Sequence, residues 1–249
     1  MRKFALITLL SISTSLIISC NTSYQARSLS YHDYRITTAQ ARDTVVGSVM
    51  KPYSDSVNKS MNDIIGFADI ALEKKSPEGT LGNFMVDAFY IMAKETFNAP
   101  VDVAFLNYGG IRLPQLPAGN VTRGKIFELM PFDNILVLQK LKGSELQQFL
   151  DLIAARGGWP VAGITMQIRD KKAVNIMVGG RPLDPNAVYG VVNSDFVANG
   201  GDNAELLKAL PRETKGYLMR DALFDYINKL KREGKNITAR MENRVTNVE

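Results

Sequence analysis

The sequence predicts one mixed α/β domain behind an N-terminal leader and tether, and three observations predict it. Leu81, Phe84, Met85, Ala88, Phe89 and Met92 follow the spacing of one helix face, and a second such face lies near the C-terminus. Val101 to Leu106 and Ile135 to Leu141 are short apolar runs of strand length bounded by turn residues. The two kinds of element are interspersed without the strict alternation of a doubly wound parallel sheet.

Residues 1–19 read as a signal peptide: Met1, Arg2 and Lys3 precede a largely apolar stretch from Phe4 to Ile18. That stretch falls short of the roughly 20 apolar residues a spanning helix needs. Leu16-Ile17-Ile18-Ser19-Cys20 resembles the bacterial lipoprotein cleavage box, so Cys20 is expected to be the lipidated first residue of a membrane-anchored lipoprotein of the cell envelope, on its periplasmic or surface side. Cys20 is also the only cysteine, which leaves nothing for a disulfide or a thiolate metal site. Residues 20–43 are polar and aperiodic and read as a tether. Losing Arg2 and Lys3 with the leader leaves 28 basic against 25 acidic residues and lowers the net charge from +5 to +3. Such mild basicity suits a small anionic ligand or surface. No Lys/Arg block or basic helix face marks a nucleic-acid binder.

The domain itself is expected over 44–249. Thr44 to Met50 reads as a strand or a lead-in, Tyr53 to Met61 as a short helix, and Ile64 to Leu72 as a strand interrupted by Gly66. Thr80 stands where an N-cap would open the helix of Leu81 to Met92. Val101 to Leu106 is a buried strand, Asn107 to Asn120 a Gly/Pro-rich loop, Ile135 to Leu141 a strand, and Ser144 to Ala155 a helix entered from Gly143. Strands at Ile164 to Arg169 and Ala173 to Val178 lead into Gly179-Gly180-Arg181-Pro182, whose glycines favour a tight turn. Tyr189 to Asn193 is a further strand. An amphipathic helix from Tyr217 to Arg232 should end at Gly234.

Several chemistries are excluded by residue type. The single histidine, His32, lies in the tether, so the domain has no serine–histidine triad and no His/Asp cluster of the kind a two-metal phosphatase draws on. Walker-type and Gly-x-Gly-x-x-Gly loops are missing, as is a nucleophile elbow. Asp170, Asp184, Glu128 and Glu145 form no paired-carboxylate pattern.

Three loop clusters remain as candidate binding elements. Asn107-Tyr108-Gly109-Gly110-Ile111-Arg112 follows an apolar strand; its glycines admit close backbone approach, and Arg112 offers a planar fork for phosphate or carboxylate, unless the segment is only a turn with a surface arginine. Gly157-Gly158-Trp159-Pro160 carries the only tryptophan, which is either a stacking platform for a planar base or a lid on the core. Asn193 to Asp202 is a strand running into a glycine-rich loop with Phe196 and Asp202. That carboxylate could accept ribose hydroxyls or serve as a turn or cap residue.

These segments, with Pro131-Phe132-Asp133-Asn134 before a strand, Leu141-Lys142-Gly143 after it, and Glu78-Gly79-Thr80-Leu81-Gly82-Asn83 with Asp87 one turn later, occur in the order found in the C-terminal domain of 5'-nucleotidases. The resemblance runs from about Val57 to Val245. It implies a four-layer α/β/β/α domain that grips a nucleoside monophosphate or nucleoside, while a calcineurin-like metallophosphoesterase domain holds two metal ions and cleaves the phosphate. By position, Arg112 would meet the phosphate or ribose, Phe196 would stack on the base and Asp202 would bind the ribose hydroxyls. Asn107, Gly109 and Gly110 share the first motif, and Asn134 and Lys142 would supply further contacts. Trp159 would stand as the opposing aromatic, although the family usually has Phe or Tyr there. The metal-bearing domain's ligand motifs do not occur in the 249 residues. The resemblance therefore implies no cofactor in this chain, with divalent metals carried by a separate metallophosphoesterase subunit. On this reading the chain is one half of a split 5'-nucleotidase, a non-catalytic nucleotide-binding surface lipoprotein, or an interaction module.

Overall fold

A computed structural model describes residues 27–35, 37 and 43–248; the expected signal peptide and Cys20 lie outside the described residues. The chain divides at Gly47/Ser48 into a small N-terminal unit and the domain proper. His32 and the other described tether residues are exposed.

Helix α1 spans Thr44–Met61 without interruption. Thr44 to Met50, expected as a strand or a lead-in, is thus helical despite its β-branched residues. Asp43 explains it: one carboxylate oxygen accepts from the backbone N–H of Val45 (2.9 Å) and Val46 (3.0 Å), an N-cap for the first turn. The expected strand from Ile64 to Leu72 is two strands, β1 (Ile64–Ala68) and β2 (Leu72–Glu73). Helix α2 (Thr80–Thr96) buries all six residues of the predicted apolar face. Its N-cap is Gly79 rather than Thr80, because the Thr80 hydroxyl accepts from the Glu73 N–H at 2.8 Å and so joins the helix to β2.

The chain continues through β3 (Val103–Phe105), β4 (Gln115–Leu116), β5 (Gly119–Thr122), α3 (Arg123–Leu129), β6 (Ile135–Lys142) and α4 (Gly143–Ala155). Strands β7 (Val161–Ala162), β8 (Ile164–Arg169), β9 (Lys172–Val178), β10 (Arg181–Pro182) and β11 (Val188–Ser194) follow. Two short helices, α5 (Asp195–Ala198) and α6 (Glu205–Lys208), precede β12 (Arg212–Leu218), α7 (Met219–Arg232) and β13 (Val245–Asn247). The predicted last helix starts two residues late, since Tyr217 and Leu218 complete β12. It ends as expected at Gly234, which adopts φ +67°.

A five-stranded sheet in the order β12-β6-β11-β3-β7 lies at the centre, and a four-stranded sheet has the order β10-β9-β8-β13. Alternate residues of the central strands face different cores, as the two-residue period of a strand requires. Ala104, Leu106, Leu138 and Val192 join α2, α3 and α7 in one cluster. Val103, Phe105, Leu141 and Val191 join α4 and the buried face of β8 and β9 in the other. Helices α2, α3 and α7 thus pack against one face of the central sheet, and α4 together with the four-stranded sheet packs against the other.

A buried polar clamp closes the domain. Glu78, 4 % exposed, accepts from the Asn83 side chain (2.6 Å) and from the backbone N–H of Glu242 (2.9 Å) and Arg244 (3.0 Å). Arg244 in turn makes a two-pronged contact with Asp87 at 2.6 and 2.8 Å. Burial raises the Asp87 pKa even against the pull of Arg244, so this carboxylate is held by its partner rather than by solvent. The Glu78 and Asp87 motif thus anchors the C-terminal segment that delivers β13 to the four-stranded sheet. Glu78→Ala leaves three donors facing a void, and urea unfolding should show a loss of about 3 kcal/mol. An unchanged midpoint would remove the clamp from the stability of this fold.

Candidate functional site

Strand β11 pairs parallel to β3 and antiparallel to β6, so the end of β3, the end of β11 and the start of β6 share one sheet edge. The loops leaving those three points enclose a cleft of about 280 Å³ lined by Asn107, Gly109, Gly110, Arg112, Phe132, Asn134, Phe196 and Asp202. A larger cavity of about 500 Å³ lies beside Tyr90, Asp102 and Tyr189 at the opposite edge. The sequence motifs converge on the smaller one.

The first wall is a one-turn 3-10 helix, Tyr108–Gly110. A side chain at Gly110 would place its Cβ 2.9 Å from Asn107 Oδ1, so glycine there lets the Asn107 amide take its position. That amide donates to Asp202 Oδ2 at 2.7 Å. Arg112 reaches the Gly109 carbonyl at 3.4 Å and lies 5.5 Å from the Phe132 ring. Lys74 donates to the Ile111 carbonyl at 2.8 Å, and burial followed by the nearby Arg112 holds its pKa below the ordinary lysine value.

The second wall is the loop after β11. Ser194 caps α5 by accepting from the Val197 N–H at 3.1 Å. Phe196 stays 45 % exposed at the mouth of the cleft. Gly200 takes φ +91°, and Asp202 itself takes φ +53°, a conformation costly for a residue with a side chain. Asp202 Oδ1 lies 3.9 Å from Arg156 Nη1, a cleft-side partner that no pattern in the sequence revealed. The carboxylate is thus held between Asn107 and Arg156 while facing the cavity. Asp195 Oδ1 accepts from the N–H of both Phe196 (2.9 Å) and Ile135 (3.1 Å), which ties this loop to the third wall.

The third wall, Met130 to Asn134, supplies the aromatic that sequence reasoning missed. Phe132 is 40 % exposed and lines the cleft with Phe196. An aromatic in a Pro-Phe-Asp-Asn segment just before a strand was a signal of the same kind as those read at the other loops.

Two expected contacts are corrected. Trp159 is 2 % exposed and packs edge-on against Phe149 with centroids 5.9 Å apart, so it is a core residue and offers no ring face to a ligand. Lys142 ends the strand that Ile135 begins, roughly 23 Å from the cleft at about 3.3 Å per residue. Its backbone N–H is taken by Glu145 Oε2 at the start of α4. Asn107, Gly109, Gly110, Arg112, Asn134, Phe196 and Asp202 do come together. Among the described residues, no group of three or more His, Cys, Asp or Glu side chains is placed to hold a metal ion. No helix among them is long and apolar enough to cross a membrane.

Residues 56–209 match the family model for the 5'-nucleotidase, C-terminal domain. Protein UshA of Yersinia enterocolitica is 31% identical over 145 residues, which are 56% of this chain and 26% of that protein. A 5'-nucleotidase of Vibrio cholerae is 25% identical over 202 residues, covering 77% of this chain and 35% of the relative. The crystal structure of a 5'-nucleotidase precursor from Thermus thermophilus superposes with a TM-score of 0.72 at 28% identity, over 83% of this chain and 44% of that one. The chain therefore spans less than half the length of these relatives.

Gly201 offers a test of how tightly the second wall is built. A Cβ there would stand 2.5 Å from the Phe196 ring and 2.6 Å from the Phe196 carbonyl oxygen. Gly201→Ala should displace the ring and cost about 1–3 kcal/mol, the usual range for overpacking, in urea unfolding. Wild-type stability with an unmoved Phe196 in a crystal structure would show that the loop has slack.

Proposed function

The chain belongs to the 5'-nucleotidase C-terminal domain family, and on that basis we propose that it is the nucleotide-recognising half of a split 5'-nucleotidase, a hydrolase whose metal-dependent half is a separate metallophosphoesterase chain. The observation that carries this reading is the cleft itself. Two half-exposed phenylalanines, a held carboxylate and an arginine with no carboxylate partner among the described residues face one cavity of nucleoside size. A base would lie against Phe196 and Phe132, the ribose hydroxyls would donate to Asp202, and the phosphate would extend towards Arg112.

A metal pair does not fit this cleft, because Asp202 is the only carboxylate in its lining and is already engaged by Asn107 and Arg156. No hydrolytic step is therefore placed in this chain. Its part is to bind the nucleoside and fix the direction in which the phosphate projects, which is how positioning lowers a barrier that another polypeptide must cross. Asn134 is retained as a contact in the third wall. A lipid on Cys20 and the tether to residue 43 would hold this half at a cell-envelope membrane.

Calorimetric titration to millimolar ligand tests the binding role. Phe196→Ala and Phe132→Ala should each weaken nucleoside binding by about 1–3 kcal/mol, the value of one stacking partner, while Trp159→Phe should leave it unchanged. Asp202→Ala should harm ribonucleosides and spare 2',3'-dideoxy analogues. Arg112→Ala should weaken nucleotides more than nucleosides. If all four cleft variants bind as the wild type does, the nucleotide reading fails and a role as an interaction module takes its place. The purified chain, supplied with Mg²⁺, Mn²⁺, Zn²⁺ or Ca²⁺, should release no phosphate from nucleoside monophosphates; turnover that survives removal of contaminating phosphatase refutes the two-chain arrangement. Cys20→Ser should release the protein from membranes or leave it uncleaved. A mature wild-type N-terminus at any other residue, as measured by mass spectrometry, rules out the anchor.

A further inference from the structure

The Met130–Asn134 wall has no helix or strand of its own, yet it carries two of the cleft's lining residues. Its backbone oxygens are taken up by the start of α7. Arg220 Nη1 donates to the carbonyls of Met130 (3.3 Å) and Phe132 (3.2 Å), and Nη2 donates to Asp133 Oδ1 (2.6 Å). The Met219 N–H donates to the Asn134 carbonyl at 2.9 Å. Carbonyls at three alternate positions thus end on two adjacent residues of one helix. The Arg220 guanidinium also lies 4.3 Å from the Phe127 ring centroid.

Helix stability does not account for an arginine at this place. A cation in the first helical turn is opposed by the macrodipole. Arg220 is also only 8 % exposed, and its buried Nε has no hydrogen-bond partner, so it bears a desolvation cost as well. The compensation comes from the wall. A planar guanidinium can hold two carbonyls and a carboxylate in fixed directions, which an ammonium cannot.

We propose that Arg220 is a positioning residue for base recognition: it stands outside the cleft and fixes the Met130–Asn134 backbone so that the Phe132 ring faces Phe196 across the ligand. This rests on the nucleotide reading of the cleft. Removing Arg220 frees Phe132 and leaves Asp202 in place, while Arg112, though it lies 5.5 Å from the Phe132 ring, keeps its own anchors, its side chain on the Gly109 carbonyl and its backbone N–H on the Leu129 carbonyl. Loss of Arg220 therefore acts on the base and spares the sugar phosphate.

Arg220→Met, Arg220→Lys and a core control on the same helix, Ile227→Val, are compared by calorimetry with adenosine and with ribose 5-phosphate. Arg220→Met should weaken adenosine roughly ten-fold, within the range for one lost stacking partner, and leave ribose 5-phosphate unchanged. Arg220→Lys should fall between, and Ile227→Val should move neither ligand. Equal losses for both ligands, or adenosine binding at the wild-type level in Arg220→Met, overturns the proposal. A second measurement needs no ligand: fluorophenylalanine placed at position 132 should show a shifted and narrowed ¹⁹F resonance in Arg220→Met and in no control. An unmoved resonance overturns the proposal even if nucleotides bind. Wild-type protein that binds neither adenosine nor ribose 5-phosphate overturns the nucleotide reading instead, and the ¹⁹F comparison then decides whether Arg220 positions Phe132. Arg220→Lys keeps both measurements open should Arg220→Met fail to fold.

Discussion

The parallel pairing of β3 with β11 is the constraint on which the site depends. Val191 and Val192 stand beside Val103 and Ala104, so both strands run towards the same sheet edge. With β6 antiparallel on the other side of β11, the segment before Ile135 reaches that edge as well. Parallel neighbours cannot be joined by a tight hairpin and need a long crossover. Here the crossover from β3 to β11 holds α3, β6, α4 and the β8–β9 hairpin. Three segments, centred near residues 110, 132 and 200, meet because of that route.

The meeting point is held under constraint rather than left loose. Asp202 keeps a left-handed backbone that a glycine would adopt at lower cost. Gly201 has no room for a Cβ beside Phe196. Asp195 bridges the Phe196 loop to the first residue of β6. Strain gathered around one carboxylate and one exposed ring is a common mark of a functional loop. In the rest of the domain, by contrast, polar groups such as Glu78 and Asp87 are consumed by structural bonds.

The proposed division of labour between recognition and chemistry rests on orientation. Orientation is worth as much to a reaction as a catalytic group, since a substrate held in the productive geometry avoids the entropy cost of finding it. On the proposed reading, the cleft would grip base and sugar and supply that orientation to a metal centre on another polypeptide. Relatives carry the same domain within longer chains, of which this one covers 26% to 44% in the cases compared. A separate recognition half would make the affinity between the two chains part of the apparent substrate affinity.

Local patterns in the sequence were enough for the elements whose burial is periodic. Helix α2 buries each residue of its predicted face, β6 runs one residue beyond its predicted end, and Gly234 stops α7 with a positive φ. Two of the three candidate loops, 107–112 and 193–202, were legible as walls of the cleft too, because a glycine pair or an unpaired aromatic at a strand end has few structural uses. What no local pattern could decide was which aromatic faces the cleft. Trp159 and Phe132 both sit in glycine- or proline-marked loops outside any period, and only the elements beneath them differ. Phe149 of α4 lies under Trp159 and takes it into the core, whereas Arg220 of α7 lies under the Phe132 backbone and leaves that ring at the surface. Both supporting residues are distant or unremarkable in sequence, so the choice between core and cleft belonged to tertiary packing alone.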